Sequence, residues 1–210
     1  VGSEMCIRDS LWTGFARLAG HSIGVIASQP RHKGGALDVD SARKGARFVQ
    51  LCSAFGLPLV TLADVPGFLP GKMQEQGGIL LHGAQLLSAY GSAEVPRISV
   101  VMGKSYGGAS VLSYTGDVVL ALPGARYDVV GVDAAAEIVS HAEGLTPEES
   151  AQRRETFLRE RDRAHAAAEA GLVDRVVLPE DLREELIHTL RALQGIQRTL
   201  PRKRRINQPT

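Results

Sequence analysis

The feature that most constrains this chain is a series of short, nearly unbroken apolar runs, separated by stretches of helical spacing. Leu59-Val60-Thr61-Leu62-Ala63, Arg97 to Met102, Asp117-Val118-Val119-Leu120-Ala121-Leu122 and Tyr127-Asp128-Val129-Val130-Gly131 are the clearest of them. Short apolar runs without alternation fit strands covered on both faces. Their alternation with helical or glycine-containing segments predicts an α/β fold with a largely parallel sheet. In such sheets the loops beyond the carboxyl ends of the strands are where sites are built.

Along the chain, Ile23, Val25 and Ile26 predict a strand over His21 to Ser28, ended by Gln29-Pro30 because proline supplies no donor to the ladder. After the Lys33-Gly34-Gly35 loop, Asp38 or Asp40 caps a helix whose apolar residues Phe48, Leu51, Cys52 and Phe55 recur at helical spacing, and Gly56 with Pro58 stops it. The run Leu59 to Ala63 then opens into Asp64-Val65-Pro66-Gly67-Phe68-Leu69-Pro70-Gly71, a functional loop by its position. It is not a phosphate-cradling loop, since three residues separate Gly67 from Gly71-Lys72 and Met73 stands where Ser or Thr would ligate magnesium. Ile79, Leu86, Leu87 and Tyr90 mark a second helix, with Gly91 near its end; His82 within it reads as structural.

Further on, a short helix is expected over Ala134 to Val139. Thr146 as N-cap, Pro147 at the first helical position and Glu149 closing a capping box start another, running to about Gly171. Its arginine- and alanine-rich faces suit the outside of the domain or a contact with another chain. Leu172 to Val177 is a last strand and Asp181 to Leu193 a final amphipathic helix. Without repeats or a low-complexity linker, one domain is expected.

Composition narrows the partners. Of 210 residues 44% are hydrophobic and 22% charged, at a net charge of +1, which suits a globular domain and gives no field toward nucleic acid or an anionic membrane. The two cysteines, Cys6 and Cys52, form neither a disulfide framework nor a metal spacing, so no metal is expected and a reducing, cytoplasmic setting is. No apolar run reaches the roughly 18 residues of a spanning helix. Residues 1–10 show no periodicity and read as a non-native scar; residues 201–210, with Arg202-Lys203-Arg204-Arg205, read as a solvated basic tail.

The chemistry concentrates at Val100-Val101-Met102-Gly103-Lys104-Ser105-Tyr106-Gly107-Gly108-Ala109, read as a strand to Met102, a sharp turn, and a helix from about Gly107. The first amides of a helix have no intrahelical acceptors, and glycines let a ligand reach them, so the corner attracts an anion or stabilises one that forms in a reaction. One reading makes it a nucleophile elbow. Gly103-Lys104-Ser105-Tyr106-Gly107 matches G-x-S-x-G, with Ser105 attacking an ester, Asp128 or Asp133 as the acid and His188 as the base of a serine hydrolase. His188 falling inside a regular amphipathic helix counts against it.

The other reading uses the backbone amides. Gly24-Val25-Ile26-Ala27-Ser28-Gln29-Pro30, Ala46-Arg47-Phe48-Val49, Asp64 to Gly71, Gln74-Glu75, Gly77-Gly78-Ile79, His82-Gly83-Ala84 and Lys104 to Ala109 occur in order at family-like spacing. Through them the chain, from about Thr13 onward, resembles the carboxyltransferase β subunits of biotin-dependent acyl-CoA carboxylases of the propionyl-CoA and acetyl-CoA type. The resemblance implies a crotonase-like α/β fold of ββα units, with residues 11–200 as a single C-terminal carboxyltransferase domain. It implies transfer of a carboxyl group from carboxybiotin to the α-carbon of an acyl-CoA, biotin being carried on a partner carrier protein served by a biotin carboxylase. It implies a homohexamer in the full-length family, and a site shared between domains of different subunits.

On the family's pattern the N–H groups of Gly108 and Ala109 form the biotin-side oxyanion hole, Gly107, Gly108 and Ala109 bind carboxybiotin, and Ser105 is a turn residue. The acyl-CoA side belongs to an N-terminal domain, so this chain is expected to supply half a site and to need the other half for turnover. Val111 stands at a position that helps select acyl-chain length, and valine there favours an apolar contact. Ser110 replaces an aromatic residue common in propionyl-CoA carboxylases. Acyl-CoA decarboxylases of the same fold and hydratase-like enzymes are the neighbouring chemistries, but no carboxylate adjoins the corner for hydration. Asp64 and Glu75 read as loop-ordering acceptors. A catalytically silent assembly partner is the third class.

Overall fold

The computed structural model describes residues 10–128, 131–160 and 164–194. A mixed sheet is built from strands β1 (Leu11–Leu18), β2 (His21–Ser28), β3 (Leu59–Val65), β4 (Arg97–Tyr106), β5 (Val118–Ala121), β6 (Arg126–Asp128) and β7 (Arg175–Val176). Its order is β1-β2-β3-β4-β5-β7, with β6 also paired to β4. Only β1 to β2 is antiparallel among the described pairs; the rest are parallel, as the unalternated runs predict. The helices are α1 (Val39–Ala54), α2 (Lys72–Gln76), α3 (Ile79–Ser92), α4 (Val111–Tyr114), α5 (Val132–Glu143), α6 (Pro147–Glu160), α7 (Ala164–Glu169) and α8 (Leu182–Gln194).

The helices cover both sheet faces. Along β3, Leu59, Ala63 and Val65 join a core with Val49 and Cys52 of α1 and Leu86 and Tyr90 of α3, whereas Val60 joins one with Leu190 and Leu193 of α8. Successive side chains thus enter opposite cores, which is why the run is apolar throughout. The one buried polar residue of β3, Thr61, has an acceptor-donor partner: its Oγ1 lies 2.9 Å from the Tyr90 hydroxyl.

Two expectations change. Strand β1 was not anticipated; it pairs Leu11 with Ser28 through Leu18 with His21 and closes through Ala19 and Gly20, both at positive φ, as a tight two-residue hairpin requires. Also, α1 buries a different face. Phe48 and Cys52 face inward, but Leu51 is 42% and Phe55 73% exposed, and the buried residues are Ser41, Ala42, Gly45, Ala46, Val49 and Cys52. Small residues line that face because neighbours press close: a Cβ on Gly45 would lie 2.9 Å from Leu11 Cδ2 and 3.1 Å from Leu86 Cδ1. Asp38, not Asp40, is the N-cap. Its Oδ1 accepts from the Ser41 amide at 2.8 Å while Ser41 Oγ accepts from the Asp38 amide at 2.9 Å.

The capping box at Thr146 is formed, with Glu149 Oε2 accepting from the Thr146 amide at 2.8 Å. The helix expected to reach Gly171 is described as α6 and α7, with residues 161–163 outside the described residues, as are 1–9 and 195–210, where the scar and tail were placed. Among the described residues no helix is long and apolar enough to cross a membrane, and no group of three or more His, Cys, Asp or Glu could hold a metal ion.

Candidate functional site

Three loops meet at the carboxyl ends of β2, β3 and β4. The first, after β2, makes a 3-10 turn at Lys33–Gly35 and reaches Leu37, which bridges to Phe68 of the second. Leu37 donates to the Gly67 carbonyl at 3.0 Å and accepts from the Leu69 amide at 2.8 Å. Gly35 has φ +86, and a Cβ there would lie 2.6 Å from the Asp64 carbonyl oxygen, so this crossing admits only glycine. Gln74 of α2 ties in as well, its Oε1 accepting from the Val39 amide at 3.0 Å.

Lys33 pairs with Asp38, which is buried. Burial alone would raise this carboxyl, but hydrogen bonds from Lys33 and from the Ser41 amide and hydroxyl outweigh it and hold the pKa below its ordinary value. The loop is therefore fastened to the start of α1 by an ionised group.

Strand β4 continues past Met102, where the sequence suggested a turn, to Tyr106. Two devices extend it. Strand β6 pairs Lys104, Ser105 and Tyr106 with Arg126, Tyr127 and Asp128, occupying the edge of β4 beyond the stretch that β5 takes. Against β3, Ala63 pairs with Val101 but Val65 pairs with Ser105, so β4 bulges opposite Asp64. The Asp64 carboxylate fills the bulge, its Oδ1 accepting from the Lys104 amide at 2.8 Å, while its own amide donates to Ser28 Oγ at 3.0 Å. Asp64 is thus the loop-ordering acceptor it was read to be.

Beyond Tyr106 the chain turns into a 3-10 segment, Gly107–Ser110, which leads into α4. Gly107 sits at φ +60, left-handed territory that favours glycine. In the i to i+3 pattern of such a turn the Ala109 amide lies over the cap carbonyl of Tyr106, and the Gly107 and Gly108 amides have no intrahelical acceptor. Gly108 is exposed, whereas Ala109 is fully buried beneath it. The Phe68 ring is wedged between α3 and the corner: a Cβ on Gly83 would meet its Cζ at 2.6 Å, and one on Gly108 its Cε2 at 2.9 Å. Phe68 was legible only as a loop residue, because its two neighbours lie far along the chain.

Of the residues assigned to an elbow, Ser105 is fully buried, and its Oγ hydrogen-bonds Ser113 Oγ. His188 is exposed on α8. The side chains of Asp128 and Asp133 lie outside the described residues. His82 is half-buried on α3, its Nδ1 2.8 Å from Gln85 Oε1, and Glu75 is exposed on α2. Val111 is 1% exposed and packs in the core with Ala109 and Leu112. A backbone donor corner, glycine-lined and floored by apolar residues, is what this arrangement offers chemically. It suits an anion or a developing oxyanion.

Comparison with known proteins places the fold and the family. The carboxyl transferase domain model matches residues 9–207. The chain is 42% identical over 201 residues to the propionyl-CoA carboxylase beta chain of Roseobacter denitrificans, covering 94% of this chain and 39% of that protein. It is 41% identical to the methylmalonyl-CoA decarboxylase subunit alpha of Propionigenium modestum, covering 94% and 40%. Among solved structures, the transcarboxylase 12S hexamer with hydrolysed methylmalonyl-coenzyme A bound superposes with a TM-score of 0.90 at 39% identity, over 96% of this chain and 40% of that one. The beta subunit of geranyl-CoA carboxylase from P. aeruginosa superposes at 0.76 with 26% identity, over 88% and 37%. The chain thus spans about two-fifths of the length of the curated relatives it matches. Its fold is the crotonase-like one of these carboxyltransferases. Fold and sequence identity agree, and the chain belongs to the carboxyl transferase domain family.

Proposed function

We propose that this chain supplies the biotin-side half of an active site that moves a carboxyl group from carboxybiotin to the α-carbon of an acyl-CoA. The observation that carries the reading is the corner after β4, where exposed Gly108, whose amide has no intrahelical acceptor, sits next to buried Ala109 and beside Phe68. Biotin, held covalently on a partner carrier protein, supplies the carboxyl from its ureido nitrogen. The residues present fit that group: Gly107 and Gly108 leave the approach free of side chains, and Phe68 offers an apolar face beside it.

In this reading the Gly108 amide would stabilise negative charge developing on the ureido oxygen, while the Ala109 amide, expected on the family's pattern to share that role, is bonded to the Tyr106 carbonyl and holds the turn. Preorganised donors of this kind cost no reorganisation during reaction, and one is typically worth about 10²–10³ in rate. Asp64 positions the corner through the bulge, and Val111 behind Ala109 forms an apolar wall that shapes the acyl side. Residues 11–200 act as one domain, working with an acyl-CoA-binding domain, a biotin carboxylase and a homohexameric assembly. The similarity to a methylmalonyl-CoA decarboxylase subunit makes the reverse transfer a second reading.

The test combines the chain with a biotin carrier protein and biotin carboxylase, with and without an acyl-CoA-binding domain. It follows acyl-CoA-dependent carboxylation, and then decarboxylation with a carboxylated acyl-CoA. Carboxyl transfer that requires both domains is expected. Stoichiometric labelling of Ser105 by a fluorophosphonate would overturn the reading in favour of a hydrolase.

A further inference from the structure

We infer that Ser110 is the positioning residue of the corner, its hydroxyl setting the direction of the Gly108 amide. The inference rests on the reading of that amide as an oxyanion donor. Ser110 is buried, and its Oγ donates to the Gly107 carbonyl. In a planar trans peptide the C=O and the following N–H point in opposite directions, so anchoring the Gly107 oxygen inward aims the Gly108 N–H outward. In the i to i+3 pattern the Gly107 carbonyl also accepts from the Ser110 amide, and the Gly108 carbonyl accepts from the Val111 amide; of these two peptides the Gly107 one carries a side-chain anchor besides its backbone bond. Gly108 N–H is therefore the donor whose aim a side chain reinforces.

A buried hydroxyl chain supports the anchor. Ser113, fully buried, donates through Oγ to the Ser110 carbonyl at 2.8 Å. A hydroxyl has one proton, so the contact of Ser113 Oγ with the Ser105 hydroxyl of β4 must be an accepted one. Every proton in the set is then assigned. Ser105 of the sheet donates to Ser113, Ser113 donates to the Ser110 carbonyl, and the Ser110 hydroxyl donates to the Gly107 carbonyl. The dipoles run one way, from the sheet into the two carbonyls of the corner. Ser105 thereby finds its role as a member of this support.

The test uses Ser110→Ala and Ser110→Thr, read two ways. In the 210-residue chain labelled with [15N]glycine, the Gly108 amide resonance is expected to shift and its hydrogen exchange to change in S110A, with S110T close to wild type and the thermal midpoint of each confirming folding. In the reconstituted carboxylase, S110A is expected to lower kcat by about tenfold at unchanged KM for acyl-CoA, and S110T to retain the rate within about threefold. A folded S110A whose Gly108 amide matches wild type overturns the inference. A displaced amide with unchanged kcat leaves the positioning intact and overturns the oxyanion role of Gly108, so the two failures are distinguishable.

Discussion

Replacing Gly103 by alanine tests whether the bulge in β4 is held by Asp64. The three atoms nearest to a Cβ at Gly103 all belong to the Asp64 carboxylate, with Cγ at 2.6 Å and Oδ2 at 2.9 Å. The backbone there is not left-handed, so alanine meets a steric conflict and no conformational one. To admit the methyl group the carboxylate must swing away, which forfeits its bond to the Lys104 amide. A hydrogen bond to a charged acceptor is worth about 1.5–3 kcal/mol, and the exposure of Lys104 places this one at the lower end. Replacing glycine within a strand returns about 0.5–1 kcal/mol. The net loss expected for G103A is about 1 kcal/mol, or about 2–4 °C in Tm for a chain of this size. In an Asp64→Ala background both the conflict and the bond are gone, so G103A there becomes neutral or slightly stabilising. Urea unfolding of the four proteins, followed by circular dichroism, gives the cycle directly. A coupling energy of about 1.5 kcal/mol is expected. Equal effects of G103A in the two backgrounds would refute the reasoning.

Thr61→Val keeps the shape of the side chain but leaves the fully buried Tyr90 hydroxyl without its partner, which costs about 1–3 kcal/mol; the double variant with Tyr90→Phe recovers most of it, measured by the same unfolding assay. Cys52, buried against α3 and the sheet, has its thiol pushed up to about 11 by burial, so the native chain at pH 8 consumes no dithionitrobenzoate at this residue until it unfolds. Asp38 has a folded-state pKa below its ordinary 3.8, so its contribution is complete above that value and is lost as the pH falls through the folded pKa. Asp38→Ala therefore costs about 1 kcal/mol as a lost cap at neutral pH and flattens the acid limb of the stability curve, read from urea midpoints between about pH 5 and 2.

The parallel strands and the loops at their carboxyl ends were legible because burial on both faces leaves a local signature. Strand β1 was not, since as an edge strand it exposes Trp12 and Phe15 and carries no such run. The α1 face was misread because large apolar residues dominate a periodicity count, while close packing against α3 selects Gly45 and Ala46. At the corner, the glycines and their amides were readable from the motif. The bulge that precedes them was not, as the carboxylate that fills it comes from another strand, and neither was the hydroxyl set of Ser105, Ser110 and Ser113, which exists only once β4 and the corner are brought together.

Strands β5 and β6 lie end to end along one edge of β4, and this divides the strand into two regimes of opening. Its lower part is paired over Arg97 to Val101 with β3 and over Ile98 to Val101 with β5. Its upper part holds Val65 through Ser105 alone on one side and the short β6 on the other. The upper part opens at lower free energy, so amide exchange at Lys104 to Tyr106 proceeds by local fluctuation while that at Ile98 to Val101 awaits global unfolding. An occupant of the corner would thus announce itself as a protection gradient that flattens along a single strand.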